Sequence, residues 1–143
     1  MATDDEVRKA SNQFYAALNN MANGDAGSMA DVWSHSADVT TMHPLGGREV
    51  GWNEVAGPWS QIAQLASSGQ VKLTDQLIRA SGDMAYEVGQ EKGQMMLAGQ
   101  QVPINHRVTN VYRREGGTWK ITHHHTDESP AMIDLVKSLQ AGK

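Results

Sequence analysis

Apolar positions recur at steps of three and four from about Asp4 to Met21, where Val7, Ala10, Phe14, Leu18 and Met21 form one stripe. That period predicts a helix with one buried face, ended by Asn23-Gly24-Asp25. A second, short helix is expected from Ser28, which with Asp31 three residues on has the form of a capping box, burying Met29, Val32 and Trp33. Asp38 to His43 is β-branched enough for a short strand, stopped by Pro44-Leu45-Gly46-Gly47. After Gly51 the helical step returns at Trp52, Val55, Trp59, Ile62 and Leu65, with Pro58 expected to kink or divide that helix.

From there the period changes to two. Runs over Val71 to Ala80 and Met84 to about Leu97, separated by Ser81-Gly82-Asp83, predict long antiparallel strands. Met84, Tyr86 and Val88 alternate with Asp83, Ala85 and Glu87, which puts the apolar three inward and Glu87 outward. Val102 to Asp127 reads as a hairpin turning at Glu115-Gly116-Gly117. On its first strand His106, Val108, Asn110 and Tyr112 share one side, Arg107, Thr109 and Val111 the other. On its second, Trp119, Ile121, His123 and His125 oppose Lys120, Thr122, His124 and Thr126, so the pleat splits the three consecutive histidines. Ser129-Pro130 opens a last helix, with Ser129 as N-cap and Met132, Leu135, Val136 and Leu139 on one face.

This order is α+β: a curved antiparallel sheet forming a cone, wrapped by three N-terminal helices, with a short C-terminal helix. The length, 143 residues, fits a single domain over 1–143 that can bury a core and hold a pocket. A formal charge of −4 with no basic block argues against nucleic acid and anionic membranes as partners. No apolar run approaches a membrane span, and the N-terminus lacks the basic-then-apolar form of a signal peptide. The chain has no cysteine, which removes disulfides, thiol nucleophiles and thiolate metal sites and suits the cytoplasm.

Two segments carry a resemblance. RREGGTWKITHHHTD is similar to the closing hairpin of SnoaL-like domains and of the association domain of calcium/calmodulin-dependent kinase, and VTTMHPLGG is similar to the strand end that bears the catalytic carboxylate of ketosteroid isomerases. The chain from Phe14 to Asp127 thus resembles the nuclear transport factor 2-like superfamily, in its SnoaL-like and ketosteroid-isomerase-like branch. The resemblance implies a cofactor-free lyase, isomerase or cyclase that acts by acid/base chemistry on a small, apolar or aromatic ligand inside the cone. His43 stands where those isomerases carry an Asp and becomes the general acid or base; Tyr15 matches the first-helix tyrosine as hydrogen-bond donor. Aligned through Trp119, the hairpin turns Thr122, His124 and Thr126 into the cavity with Arg107 and Thr109 opposite. His124 is then the partner of His43, and Arg107 the stabiliser of negative charge.

Trp33, Trp59, Met84 and Tyr86 complete the expected wall, although Trp33 and Trp59 read equally as core, Tyr15 as a half-buried core tyrosine and His43 as a solvent-facing strand end. The same alignment leaves Trp119, Ile121, His123 and His125 on the outer face, as the expected seam of a homodimer. Two alternatives stay open: a ligand-binding or assembly module without turnover, and a metal enzyme using His123, His125 and Asp127, whose H-x-H-x-D spacing suits zinc, iron or copper. The expected metal content is none.

Overall fold

A computed structural model describes residues 3–141. Its elements are α1 (Thr3–Met21), α2 (Met29–Val32), β1 (Thr40–His43), β2 (Gly46–Val50), α3 (Trp52–Leu65), β3 (Ala66–Ser81), β4 (Met84–Leu97), β5 (Gln100–Glu115), β6 (Thr118–Thr126) and α4 (Pro130–Ala141). The stripe of α1 is buried as its period demands: Val7, Ala10, Phe14, Leu18 and Met21 all face the core. Phe14 sits at the centre, edge-on to Tyr15, Trp33 and Trp59 with centroids 5.0, 6.5 and 6.2 Å away.

The fold is α+β, a curved, unclosed six-stranded sheet in the order β2-β1-β6-β5-β4-β3, with α1 and α3 packed on the sheet and α2 against those two helices. One pairing departs from the expected antiparallel set. β1 runs parallel to β6, with Thr41 beside His124, because the chain crosses from β1 through β2 and α3 before the meander begins. The glycine-rich stop after His43 is itself the start of β2, which pairs back on β1.

Pro58 does not divide α3, which runs unbroken from Trp52 to Leu65. The Ser28 hydroxyl accepts a hydrogen bond from Asn20 and makes no bond to the first turn of α2. Ser129 does cap α4, its Oγ accepting from Met132 N at 3.3 Å. β3 begins at Ala66 and absorbs Ser68-Gly69 as an irregularity, with Ser68 at φ 49° and a second break near Asp75 at φ 54°. These two breaks, both in the edge strand, bend the sheet. Gly93 lets the strands close at the first break: a Cβ there would stand 1.8 Å from Gln70 O.

The strand faces are the main revision. On β4 the buried positions are Ala85, Glu87, Glu91, Met95 and Leu97, while Met84 and Tyr86 are 45% and 46% exposed on the outer face. The inward face is therefore the reverse of that expected from the short window 84–88. On β5 Val102, Ile104, His106, Val108, Asn110 and Tyr112 face in, and Arg107, Thr109 and Val111 face out. On β6 Trp119 and Ile121 face in, and so do Thr122, His124 and Thr126. A bulge makes both possible, since Tyr112 pairs with Ile121 but the preceding Val111 pairs with His123, leaving Thr122 as the extra residue. Trp119 and Ile121 are thus core residues and give no exposed seam.

Candidate active site

Strand parity and the bulge aim a set of polar side chains at one pocket. Thr41 and His43 share the inner side of β1, beside the inward positions of β6, so His43 faces His124 with ring centroids 6.0 Å apart. His106 on β5 lies directly opposite Glu91 on β4, and Asn110 opposite Glu87. The pocket is small, a cavity of about 60 Å3, bounded by His43, Glu91, His106 and His124 on the polar side. Leu18, Ile62, Met95, Leu97 and Ile104 are among its apolar wall residues. Leu45, Pro58 and Met132 come from the β1–β2 turn, α3 and α4. Few polar groups in an apolar enclosure is the usual form of a small-molecule site.

The polar groups form one connected network. His106 Nε2 lies 2.7 Å from Glu91 Oε1, and Tyr15 Oη donates to Glu91 Oε2 at 2.8 Å. Asn110 Nδ2 donates to Tyr15 Oη at 3.0 Å and to Glu87 Oε1 at 3.0 Å, while its Oδ1 lies 2.7 Å from His124 Nδ1. Glu87 also accepts from Tyr112 Oη at 2.9 Å and from Gln76 Nε2 at 2.6 Å. Every one of these carboxylate oxygens has a donor, which is what allows two acidic side chains to be almost fully buried.

Burial lowers the His124 pKa to about 4; the Glu91 charge works against this, and His106 reinforces it. Burial likewise brings His43 down to about 3, with the neighbouring His124 adding to the effect. Both rings are neutral at pH 7. Glu49 Oε1, 3.7 Å from His43 Nε2, is therefore a polar neighbour rather than an ion-pair partner, and His43 Nε2 is buried without a hydrogen bond. For Glu91, burial pushes the carboxyl up, but the hydrogen bonds from His106 first and the Tyr15 hydroxyl second work against this, and the carboxyl stays below its ordinary value. Tyr15 is raised well above 10, by burial first and the Glu91 charge second, so it remains a phenol.

Placed against the sequence-based expectations, His43, His124 and Trp59 line the pocket. Thr122 and Thr126 face inward on β6 but are not among its lining residues, and Trp33 is packed in the core behind Trp59. Tyr15 lies one layer back, its proton committed to Glu91 rather than to the pocket. Arg107 is on the outer surface, held to Asp127 at 3.0 Å, and Thr109, Met84 and Tyr86 are also on the outer face. For Arg107 and Thr109 the reason is the bulge: an alignment through Trp119 that ignores the extra residue shifts the β5 partner of His124 from Asn110 to its neighbour Thr109.

Sequence reasoning missed Glu91, His106, Asn110 and Glu87 as site residues. A usable signal was present, since His106 and Asn110 share parity with Val102, Ile104, Val108 and Tyr112, and Glu87 and Glu91 share parity with Met95 and Leu97. Among the described residues no group of three His, Asp or Glu could hold a metal ion. Both oxygens of Asp127 bind Arg107, and His123 Nδ1 pairs with Thr40 Oγ1 at 2.6 Å.

The model of the SnoaL-like domain matches residues 7–132. The chain belongs to the SnoaL-like family. No curated protein matches the sequence. Among solved structures, this SnoaL-like domain is similar to a candidate dehydratase of the NTF2-like family from Streptomyces avermitilis, at 26% identity over 87% of this chain and 94% of that one, with a TM-score of 0.76. It is also similar to a candidate calcium/calmodulin-dependent protein kinase type II association domain from Thiobacillus denitrificans, at 26% identity, 85% and 94% coverage and a TM-score of 0.67. A candidate ketosteroid isomerase from Shewanella frigidimarina shares the fold, at 22% identity, 83% and 92% coverage and a TM-score of 0.66. No helix of the SnoaL-like domain is long and apolar enough to cross a membrane.

Proposed function

We propose that this SnoaL-like domain is a cytoplasmic, cofactor-free acid/base enzyme, with a dehydratase-type lyase reaction on a small, largely apolar hydroxyketone as the best-supported reading. The observation that carries it is the convergence of three imidazoles and one carboxylate on an otherwise apolar pocket, with His124 neutral and anchored through one ring nitrogen. His124 Nε2 takes the proton from the carbon next to the substrate carbonyl. The carbon–oxygen bond at the neighbouring carbon breaks as the double bond forms, and the imidazolium returns its proton to the departing hydroxide to give water. Glu91 favours the charged ring that exists between these steps, which is the direction in which its field acts on His124. His43, with an unengaged buried Nε2, is the group to bind the carbonyl or the departing oxygen. Neither Arg nor Lys lines the pocket, which favours uncharged substrates.

The test is a panel of neutral cyclic hydroxyketones in D2O. NMR follows deuterium entry next to the carbonyl, and ultraviolet absorption follows the conjugated enone. The expected result is exchange and enone formation by the wild type and a loss of at least about a hundredfold in His124→Ala. Binding by the panel without exchange would instead favour a ligand-binding module. The 26%-identical association domain and the outer face of the sheet support one addition, a homodimer through that face. There Tyr86, Val111 and His123 form one row, and Leu77, Val88, Thr109 and His125 the next.

A further inference from the structure

The acid/base reading needs a lone pair on His124 Nε2, and the free imidazole side chain prefers to carry its proton there. Something must reverse that preference. The ring's other nitrogen, Nδ1, faces Asn110 Oδ1 at 2.7 Å, so the question becomes which end of the Asn110 amide points at the histidine. Glu87 answers it. Its Oε1 accepts from Asn110 Nδ2 at 3.0 Å, and both of its oxygens are otherwise occupied by donors from Tyr112 and Gln76. The Tyr15 hydroxyl gives its proton to Glu91 and so can only accept from Asn110, which it does at 3.0 Å. Both amide hydrogens of Asn110 are thereby used. Flipping the amide would set its oxygen against a carboxylate oxygen and a phenol lone pair in a site from which water is excluded, since Glu87 and Asn110 are 0% exposed.

We infer that Glu87, which does not line the pocket, acts through Asn110 as a positioning residue that holds His124 in the Nδ1–H tautomer and leaves Nε2 free as the base. The inference rests on the proposed acid/base role of His124, but its readout does not. It also gives a physical reason for a fully buried acid on a strand whose neighbouring acid, Glu91, already serves the pocket.

The experiment is a long-range proton–nitrogen correlation spectrum of the protein labelled with 15N-histidine, at pH 7 where His124 is neutral. The wild type should give a pyrrole-like Nδ1 and a pyridine-like Nε2 at His124, with roughly a tenfold excess of that tautomer. Glu87→Gln, whose amide can donate to Asn110 Oδ1, should lower the excess severalfold. Tyr112→Phe removes a different donor from Glu87, keeps the Asn110 bond, and should leave the tautomer unchanged. If Glu87→Gln does not give a folded spectrum, Asn110→Ala tests the same link and should let the proton move to Nε2. A wild-type His124 protonated at Nε2, or a tautomer indifferent to Glu87→Gln, overturns the inference. If the tautomer behaves as expected while His124→Ala leaves turnover intact, the positioning stands and the catalytic reading falls.

Discussion

Lowering the pH from 7.5 to 5.0 should cost this domain about 4 kcal/mol of folding stability, nearly all of it from His43 and His124. In the unfolded chain both imidazoles take up protons near 6.5, whereas in the folded chain they stay neutral down to about 3 and about 4. The unfolded state thus binds more protons throughout this interval, so stability rises with pH. The contribution is complete above pH 6.5 and is lost as the pH falls towards the folded values. Integrating proton uptake gives about 2 kcal/mol for each ring at pH 5.0, and because both remain neutral in the folded state there, the two add. Other shifted groups fall mostly outside the window. Glu91, Asp38 and Asp127 have lowered pKa values and weaken the fold only on further acidification, and His123, about half buried, adds a smaller share of the same sign. Against a total stability of roughly 5–15 kcal/mol for a domain, the loss is large. Urea titrations followed by tryptophan fluorescence, at one fixed protein concentration, measure it directly. His43→Leu should show about half the wild-type pH dependence, whatever its own stability at pH 7.5. A wild-type change below about 1 kcal/mol would refute the claim that both rings are buried in the neutral form.

Two further outcomes are expected. Gly93→Ala should destabilise by at least about 4 kcal/mol, because the added carbon collides with the Gln70 carbonyl. By contrast Gly99→Ala, at φ +80° but in open space, should cost about 1 kcal/mol; thermal unfolding of the pair separates steric from conformational cost. If the outer sheet face pairs two copies, Tyr86→Asp should weaken the dimer roughly a hundredfold in sedimentation equilibrium while leaving the monomer fold intact, and a wild type that is monomeric at micromolar concentration removes the dimer from the reading.

Periodicity and turn chemistry made the elements legible from the sequence. The α1 stripe, the Ser129 cap and the glycine turn of the hairpin depend on neighbours within a few residues, so local pattern was enough to place them. The resemblance carried by VTTMHPLGG and the histidine hairpin named the family and put His43 at a strand end that the structure turns towards His124. Local pattern could not fix which side of each strand is inside. Met84, Tyr86 and Val88 look like a core face until Glu87 and Glu91 meet Asn110 and His106 across the ladder, where donors from other elements satisfy charges that would otherwise be expelled. Trp119 and His124 cannot both face inward on an unbroken strand, and only pairing with β5 introduces the extra residue that admits both. The site's chemistry was decided at that level, because one residue's shift in register separates a buried Asn110, locked between two acceptors, from a Thr109 on the outer face.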